Sequence, residues 1–218
     1  MPKEKRASQT ASLLYEHQYA KSGCQRIIGL DEAGRGTWAG PVAAGAVCLP
    51  IERRDLQKLL IGVRDSKQMT ARQRVALAEK IKEVALAWGV GSASAAEIDD
   101  LGIVPATKLA MRRALETTQL QPDCLLLDSL AWPEMNIPQI CIVKGDSHSL
   151  TIAAASVLAK VWRDEQMYVL AQQYPDYGFA QHKGYGTPAH LAALHAHGPS
   201  PIHRMSFAPL RKLAGESA

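Results

Sequence analysis

Apolar residues fall into short compact blocks in the first third of this chain and into helical spacings in its middle; beyond that the two patterns alternate. Residues 26–31 and 42–49 are apolar runs bounded by glycine-rich or polar segments, as buried strands are. The short connection between them predicts a hairpin-like pair. Leu77, Ile81, Val84 or Ala85, and Trp88 recur on one face of a helix predicted over 71–88, with Thr70 as its cap. A third strand is predicted over 89–94, after which Ser94 caps a short helix to Leu101 and Pro105 opens a longer one to about residue 120. Strands follow at 124–128 and 140–143, then a long helix over 149–173. Its stretch 152–161 is dense in alanine and is expected to lie buried against the sheet. Beyond Tyr174-Pro175 the chain is rich in His, Gly, Pro and Tyr, with one short helix predicted over 188–197.

This order predicts an α/β domain with a mixed sheet flanked by helices, and a small C-terminal helical or loop-rich segment. Three regions are expected: a flexible lead-in over 1–22, a catalytic domain over 23–173 and a substrate-binding segment over 174–218. The 218 residues suffice for one large domain with a small appendage, and 47% hydrophobic with 21% charged residues is an ordinary globular balance. A net charge of +4 is permissive for nucleic acid. No run approaches the roughly 18–20 apolar residues of a membrane span, and the N-terminus has no apolar core of a secretory signal. Cys24, Cys48, Cys124 and Cys141 form no CxxC pair, so reduced core thiols and a cytoplasmic location are expected. His182, His190, His195, His197 and His203 fit no zinc spacing.

The chemistry concentrates at strand ends. Asp31, Asp128 and Asp146 each end or closely follow an apolar strand, and Glu32 adjoins Asp31. In an open α/β sheet such ends converge on a ligand-binding crevice. Like charges about 4 Å apart at an effective dielectric near 20 repel by roughly 4 kcal/mol. Carboxylates gathered there therefore call for cations, and an all-oxygen set suits Mg²⁺ or Mn²⁺. Adjacent strand residues face opposite ways. Either the strand ends or bulges at Asp31, or Glu32 contributes its backbone carbonyl; Asp31 is expected to be the shared ligand and Glu32 the more peripheral. Directly afterwards Gly34-Arg35-Gly36 offers backbone that can approach a phosphate or sugar closely.

These residues resemble the ribonuclease HII family. Gly29-Leu30-Asp31-Glu32-Ala33-Gly34-Arg35-Gly36 is similar to its opening signature, continued by Ala39-Gly40-Pro41-Val42. Asp65-Ser66-Lys67, the run Ala106 to Met111, Lys144-Gly145-Asp146, the stretch 152–164, His182-Lys183-Gly184-Tyr185-Gly186-Thr187 and His203-Arg204 follow in the family's order, over about residues 25–212. The resemblance implies a ribonuclease H-like fold and hydrolysis of RNA paired with DNA or embedded in it. It implies four acidic metal ligands, Asp31, Glu32, Asp128 and Asp146, for two divalent ions. It also implies a 2′-hydroxyl reader at Gly34-Arg35-Gly36 and a sugar-stacking Tyr185. The chain departs from the family pattern at Ser129, where glycine is usual, and at Gly102, where asparagine is frequent; Ser129 bears on the turn that places Asp128.

Cations held by the carboxylates would activate a water, stabilise the leaving 3′ oxygen and neutralise the scissile phosphate, giving 5′-phosphate and 3′-hydroxyl ends. Phosphate contacts are expected from Arg35, Lys67, Lys183 and Arg204. The expected substrates are RNA–DNA hybrids and duplex DNA with embedded ribonucleotides, incised on the 5′ side, by a monomer with no membrane association. The rival readings are another metal-dependent nuclease of the same fold acting on DNA, and a non-catalytic nucleic-acid-binding module, which has no use for four carboxylates.

Overall fold

The computed structural model describes residues 10–213 and 215. In chain order the elements are α1 (Leu14–Lys21), β1 (Ile27–Ala33), β2 (Val42–Cys48), α2 (Leu56–Leu59), α3 (Ala71–Val84), β3 (Ala87–Ala93), α4 (Ala95–Leu101), α5 (Ile103–Thr118), β4 (Cys124–Asp128), β5 (Gln139–Ile142), α6 (Gly145–His148), α7 (Leu150–Gln173), α8 (Phe179–His182), α9 (Pro188–His197) and α10 (Ala208–Leu213). The sheet order is β3-β2-β1-β4-β5. β3, β2 and β1 pair antiparallel, while β1, β4 and β5 run parallel. The sheet is therefore mixed, and β1 and β2 form the expected antiparallel pair.

Two helices cover the sheet on opposite faces, which makes α7 and α5 the outer layers of the core. Ile152, Ala153, Ala154, Ala155 and Val157 of α7 join one buried cluster with Ile27, Val47 and Leu126. Ala106, Ala110, Met111 and Ala114 of α5 join another with Ile28, Leu30, Leu125 and Leu127. Alternate strand residues feed the two faces, as the pleat requires. The approach of α7 is close because the sheet offers glycine beneath it. A Cβ on Gly29 would stand 2.5 Å from the Thr151 carbonyl carbon, and one on Gly45 would stand 2.2 Å from the Ala155 oxygen. Alanine on the helix and glycine on the strands thus bring two backbones together. A third apolar cluster, with Met167, Tyr177, Phe179, Leu194 and Leu210, joins the end of α7 to the C-terminal segment.

Three expectations are corrected. The helix predicted over 71–88 ends at Val84, and Trp88 belongs to β3, where it pairs with Val47. Sheet hydrogen bonding beginning at Ala87↔Cys48 outweighs the continued helical period. The lead-in predicted over 1–22 includes, beyond residues 1–9 that lie outside the described residues, a docked helix: Ala11 and Leu13 are buried with the core and Glu16 of α1 is fully buried. Cys48 and Cys124 are buried as expected, but Cys141 is exposed because β5 is the outermost strand. No helix among the described residues is long and apolar enough to cross a membrane.

Candidate metal centre and nucleic-acid groove

Parallel pairing between β1 and β4 reaches Leu30↔Leu127 and stops. Asp31 and Asp128 are the next residue on each strand, so the place where the ladder ends is where the two carboxylates emerge. Asp146 arrives from the segment that follows β5. Lys144 takes a left-handed conformation (φ 55°), and α6 then places Asp146 in its first turn. The Gly145 N–H donates to Asp128 Oδ1 at 2.9 Å, which ties the two segments together. Asp31, Asp128 and Asp146 each offer one carboxylate oxygen, and these lie within 4.8 Å of one another.

Glu32 is not one of the three, though it lies near enough for its charge to act on Asp31 and for that of Asp128 to act on it. β1 stays in regular register with β2 through Ala33↔Ala43, so no bulge rotates Glu32 into the cluster. Its Oε1 accepts from Arg35 Nη1 at 3.2 Å, and its buried Oε2 has no hydrogen-bond partner. A buried carboxylate oxygen without a donor is costly. With the all-oxygen character of the triad, it fits a site that receives a hard divalent cation.

Burial, followed by the charge of Glu32, raises the Asp31 carboxyl well above its ordinary value. Asp146 is pushed up to about 6, first by burial and then by Asp65 and Asp128. Burial also raises Glu32, with Arg35 opposing. Lys67 is lowered by burial, but Asp31, Asp65, Asp146 and Asp128 more than reverse that and leave its ammonium above the usual lysine value. Lys67 thus stands at the rim of the acidic cluster.

The Gly34-Arg35-Gly36 loop leaves the end of β1 with Gly34 at φ 93°. Two buried arginines hold it. Arg204 is fully buried; its Nε and Nη2 donate to the Gly40 carbonyl at 3.0 and 2.9 Å, and its Nη1 donates to the Arg35 carbonyl at 2.9 Å. Arg204 is therefore no phosphate contact: its fork is spent on loop backbone, and burial followed by Arg163 lowers its pKa to about 9. Arg163 of α7 donates to the Pro41, Ala39 and Lys183 carbonyls and to Thr37 Oγ1. It binds the loop after β1 to the segment carrying Tyr185.

Arg35 and Lys67 reach solvent, whereas the half-buried Lys183 has its Nζ on the Ala180 carbonyl and 3.6 Å from the Tyr168 ring centroid. Tyr185 is 42% exposed. It lines a groove of about 480 Å³ with Arg74, Lys160, Asp164, Lys183 and Thr187. Its wall includes Arg74, whose Nη1 donates to the Ser66 carbonyl at 3.0 Å, next to Lys67 in sequence.

His190 Nδ1 faces the Tyr185 carbonyl at 3.0 Å and must donate to it. Its Nε2 then accepts from His203 Nε2 at 3.0 Å, and His203 Nδ1 accepts from the Ser200 N–H at 2.9 Å. This requires both imidazoles to be neutral, and burial lowers the pKa of each. These histidines are packing and positioning groups rather than metal ligands.

Sequence reasoning did not single out Ser66, Ser156 or Arg163 as site residues. Ser156 lies within reach of the Asp31 carboxyl and of Ser66 Oγ at 2.9 Å. A signal was present: Ser149, Ser156 and Arg163 recur every seven residues, two turns apart, within a stretch rich in alanine and aliphatic residues. Ser129, where the family usually has glycine, adopts φ 58° and donates its hydroxyl to Asp128 Oδ1 at 3.0 Å. The turn keeps the backbone a glycine would take, and Asp128 stays in the cluster.

A family model described as Ribonuclease HII matches residues 28–210. A ribonuclease HII of Desulfitobacterium hafniense is 51% identical over 202 residues, which are 93% of this chain and 76% of that protein. One of Roseiflexus castenholzii is 52% identical over 192 residues, 88% of this chain and 86% of that protein. Among solved structures, ribonuclease H2 of Pyrococcus horikoshii superposes with a TM-score of 0.72 at 26% identity, covering 88% of this chain and 98% of that one.

Proposed function

The chain belongs to the ribonuclease HII family, and from that premise we propose how its residues carry out the family's reaction. The protein is a ribonuclease H, a metal-dependent endonuclease. The substrates we assign are RNA–DNA hybrids and duplex DNA containing single ribonucleotides, cut on the 5′ side to leave 5′-phosphate and 3′-hydroxyl ends. The observation that carries this reading is the meeting of Asp31, Asp128 and Asp146 within 4.8 Å at the end of the sheet, next to the Gly34-Arg35-Gly36 loop.

Asp31, Asp128 and Asp146 would hold two divalent cations, Mg²⁺ or Mn²⁺, with Glu32 contributing its unpartnered oxygen or its backbone carbonyl. Bound there, such ions would activate a water and neutralise charge on the scissile phosphate. The chain's own groups do the rest. Backbone atoms of Gly34, Arg35 and Gly36 face the ribose 2′-hydroxyl, the group that separates RNA from DNA. Arg163 and Arg204 fix that loop from behind. Tyr185 offers a ring face to the sugar beside the cut, and Arg35, Lys67 and Lys183 lie along the nucleic-acid backbone. Residues 23–173 form the catalytic unit and 174–218 the substrate-binding segment, acting as a cytoplasmic monomer.

Matched duplexes holding zero, one or four ribonucleotides test this in Mg²⁺ and in Mn²⁺. Incision 5′ of the single ribonucleotide, with the all-DNA duplex left intact, is the expected result. Equal cleavage of the all-DNA duplex would overturn the 2′-hydroxyl assignment and favour a DNA nuclease on the same fold.

A further inference from the structure

Glu16 has no part in that reaction, yet it is one of three buried carboxylates among the described residues, with Asp31 and Asp146. Its Oε1 accepts from the Ser149 hydroxyl at 2.6 Å and from the Thr151 N–H at 2.9 Å. Its Oε2 is buried with no hydrogen-bond partner. No arginine or lysine pairs with it among the described residues. It faces the N-terminus of α7, a helix of 24 residues whose first-turn N–H groups have no partner within the helix and whose dipole is positive at that end. Ser149 caps that helix by accepting from the Ile152 N–H at 3.2 Å while it donates to Glu16. Glu16 therefore completes the cap from another element.

The junction it grips is the one that carries Asp146. Asp146 lies three residues before Ser149, in α6, and the Ser149 N–H donates to the Gly145 carbonyl at 2.8 Å. The residues just before Glu16 hold the same junction. The Ser12 hydroxyl donates to the His148 carbonyl at 3.0 Å, and the Leu150 N–H donates to the Ser12 carbonyl at 2.8 Å. On its other side this strap meets the loop leading to Lys67. The Ala11 N–H donates to the Val63 carbonyl at 3.0 Å, and Thr10 Oγ1 accepts from the Gly62 N–H at 2.9 Å. Residues 10–16 thus join two segments that reach the carboxylate cluster from different parts of the chain.

We propose that Glu16 is a positioning residue for the metal centre. By capping α7 it fixes the junction between α6 and α7, and so the place Asp146 takes beside Asp31 and Asp128. This rests on the reading of those carboxylates as a metal site. Groups that orient metal ligands from behind typically change metal affinity by about 10–100-fold when removed.

The test uses the full chain and two variants, Glu16→Ala and Glu16→Gln. Glutamine keeps an oxygen for Ser149 and Thr151; alanine does not. Mn²⁺ binding is measured by calorimetry without substrate, and amide hydrogen exchange over residues 145–151 without metal. Glu16→Ala is expected to weaken Mn²⁺ binding by roughly tenfold and to speed exchange at the junction, with KM for a hybrid duplex unchanged. Glu16→Gln is expected to recover most of the loss. Met111→Ala, which opens the core on the other face of the sheet, lowers stability without touching the junction, and its Mn²⁺ affinity is expected to stay at the wild-type value. If Glu16→Ala does not fold, Glu16→Asp decides, because its shorter side chain withdraws the oxygen from Ser149 and Thr151: unchanged exchange at the junction with unchanged Mn²⁺ affinity overturns the inference. So does a folded Glu16→Ala with wild-type affinity, which leaves the metal site itself intact. A wild-type chain that binds no Mn²⁺ overturns the site and this inference together.

Discussion

Asp146 carries a carboxyl pushed up to about 6 by burial and by Asp65 and Asp128. A carboxyl whose pKa is higher folded than unfolded stabilises the fold below its unfolded value of 3.8, and that contribution is lost as pH rises through about 6. Asp146→Asn should therefore raise the thermal midpoint of the metal-free protein at neutral pH, with the gain shrinking to nothing in acid, while abolishing cleavage. Differential scanning calorimetry across pH reads the first effect and a hybrid cleavage assay the second. A separate residue-scale prediction distinguishes the arginines and lysines of the groove. Arg204 grips the Gly40 and Arg35 carbonyls, and a lysine ammonium cannot serve both through a planar fork. Arg204→Lys should raise KM several-fold and leave the salt dependence of binding intact. Lys67→Ala should flatten that dependence by about one phosphate contact. Filter binding over a salt series separates the two. Sequence alone assigned both residues to phosphate, because a charge in a motif does not reveal whether backbone or solvent surrounds it.

At the scale of elements, the contact between α7 and the sheet is the one on which the site depends. Gly45 lies under the Ala155 carbonyl, where an added methyl meets backbone at 2.2 Å. Backbone does not yield as a side chain does, so Gly45→Ala should destabilise the protein by about 1–3 kcal/mol or more, measured by urea unfolding. It should also slow cleavage, since Ser156 and Arg163 move with the helix. Most elements were readable from hydrophobic period and caps: Thr70 and Ser94 each form a capping box with the Gln73 and Glu97 three residues on. The exception at Trp88 arose where a helical period ran into a strand whose identity depends on pairing with β2. The docking of α1 was unreadable for a related reason. Its hydrogen bond between Glu16 and the start of α7 spans more than a hundred residues of sequence.

For the whole molecule, the C-terminal segment is tied to the rest of the chain by the buried Arg163 and Arg204 and braced within itself by neutral buried histidines. His203 has its pKa lowered to about 4 by burial and then by His190. A histidine whose folded pKa lies below its unfolded 6.5 withholds no stability above that value, and stability falls as pH drops from 6.5 through about 4. Protonation would also remove the acceptor that ties Ser200 to His203, and with it the relay to the Tyr185 carbonyl. Acidification should therefore loosen residues 174–210 first, seen as faster amide exchange there between pH 6.5 and 5 than in the sheet, roughly following the histidine titration. His203→Asn should lessen that pH dependence. The effect runs opposite to that of Asp146, so calorimetry on the two variants resolves contributions that partly cancel in the parent.

Local chemistry settled much of this protein in advance. Strand and helix periods, caps, the glycine–arginine loop and the carboxylates at strand ends follow from neighbours in sequence, so the chain alone pointed to a mixed α/β sheet with an acidic centre at its strand ends. Which acids meet was a matter of three-dimensional placement. β1 ends its parallel ladder at Leu30, α6 turns Asp146 back toward it, and strand alternation faces Glu32 toward Arg35. The tertiary structure alone decided that Arg204 is buried, that Arg163 and Ser156 stand behind the site, and that the segment around Glu16 braces it. Burial and long-range hydrogen bonds depend on what the rest of the chain brings alongside, and no local pattern of residues records that.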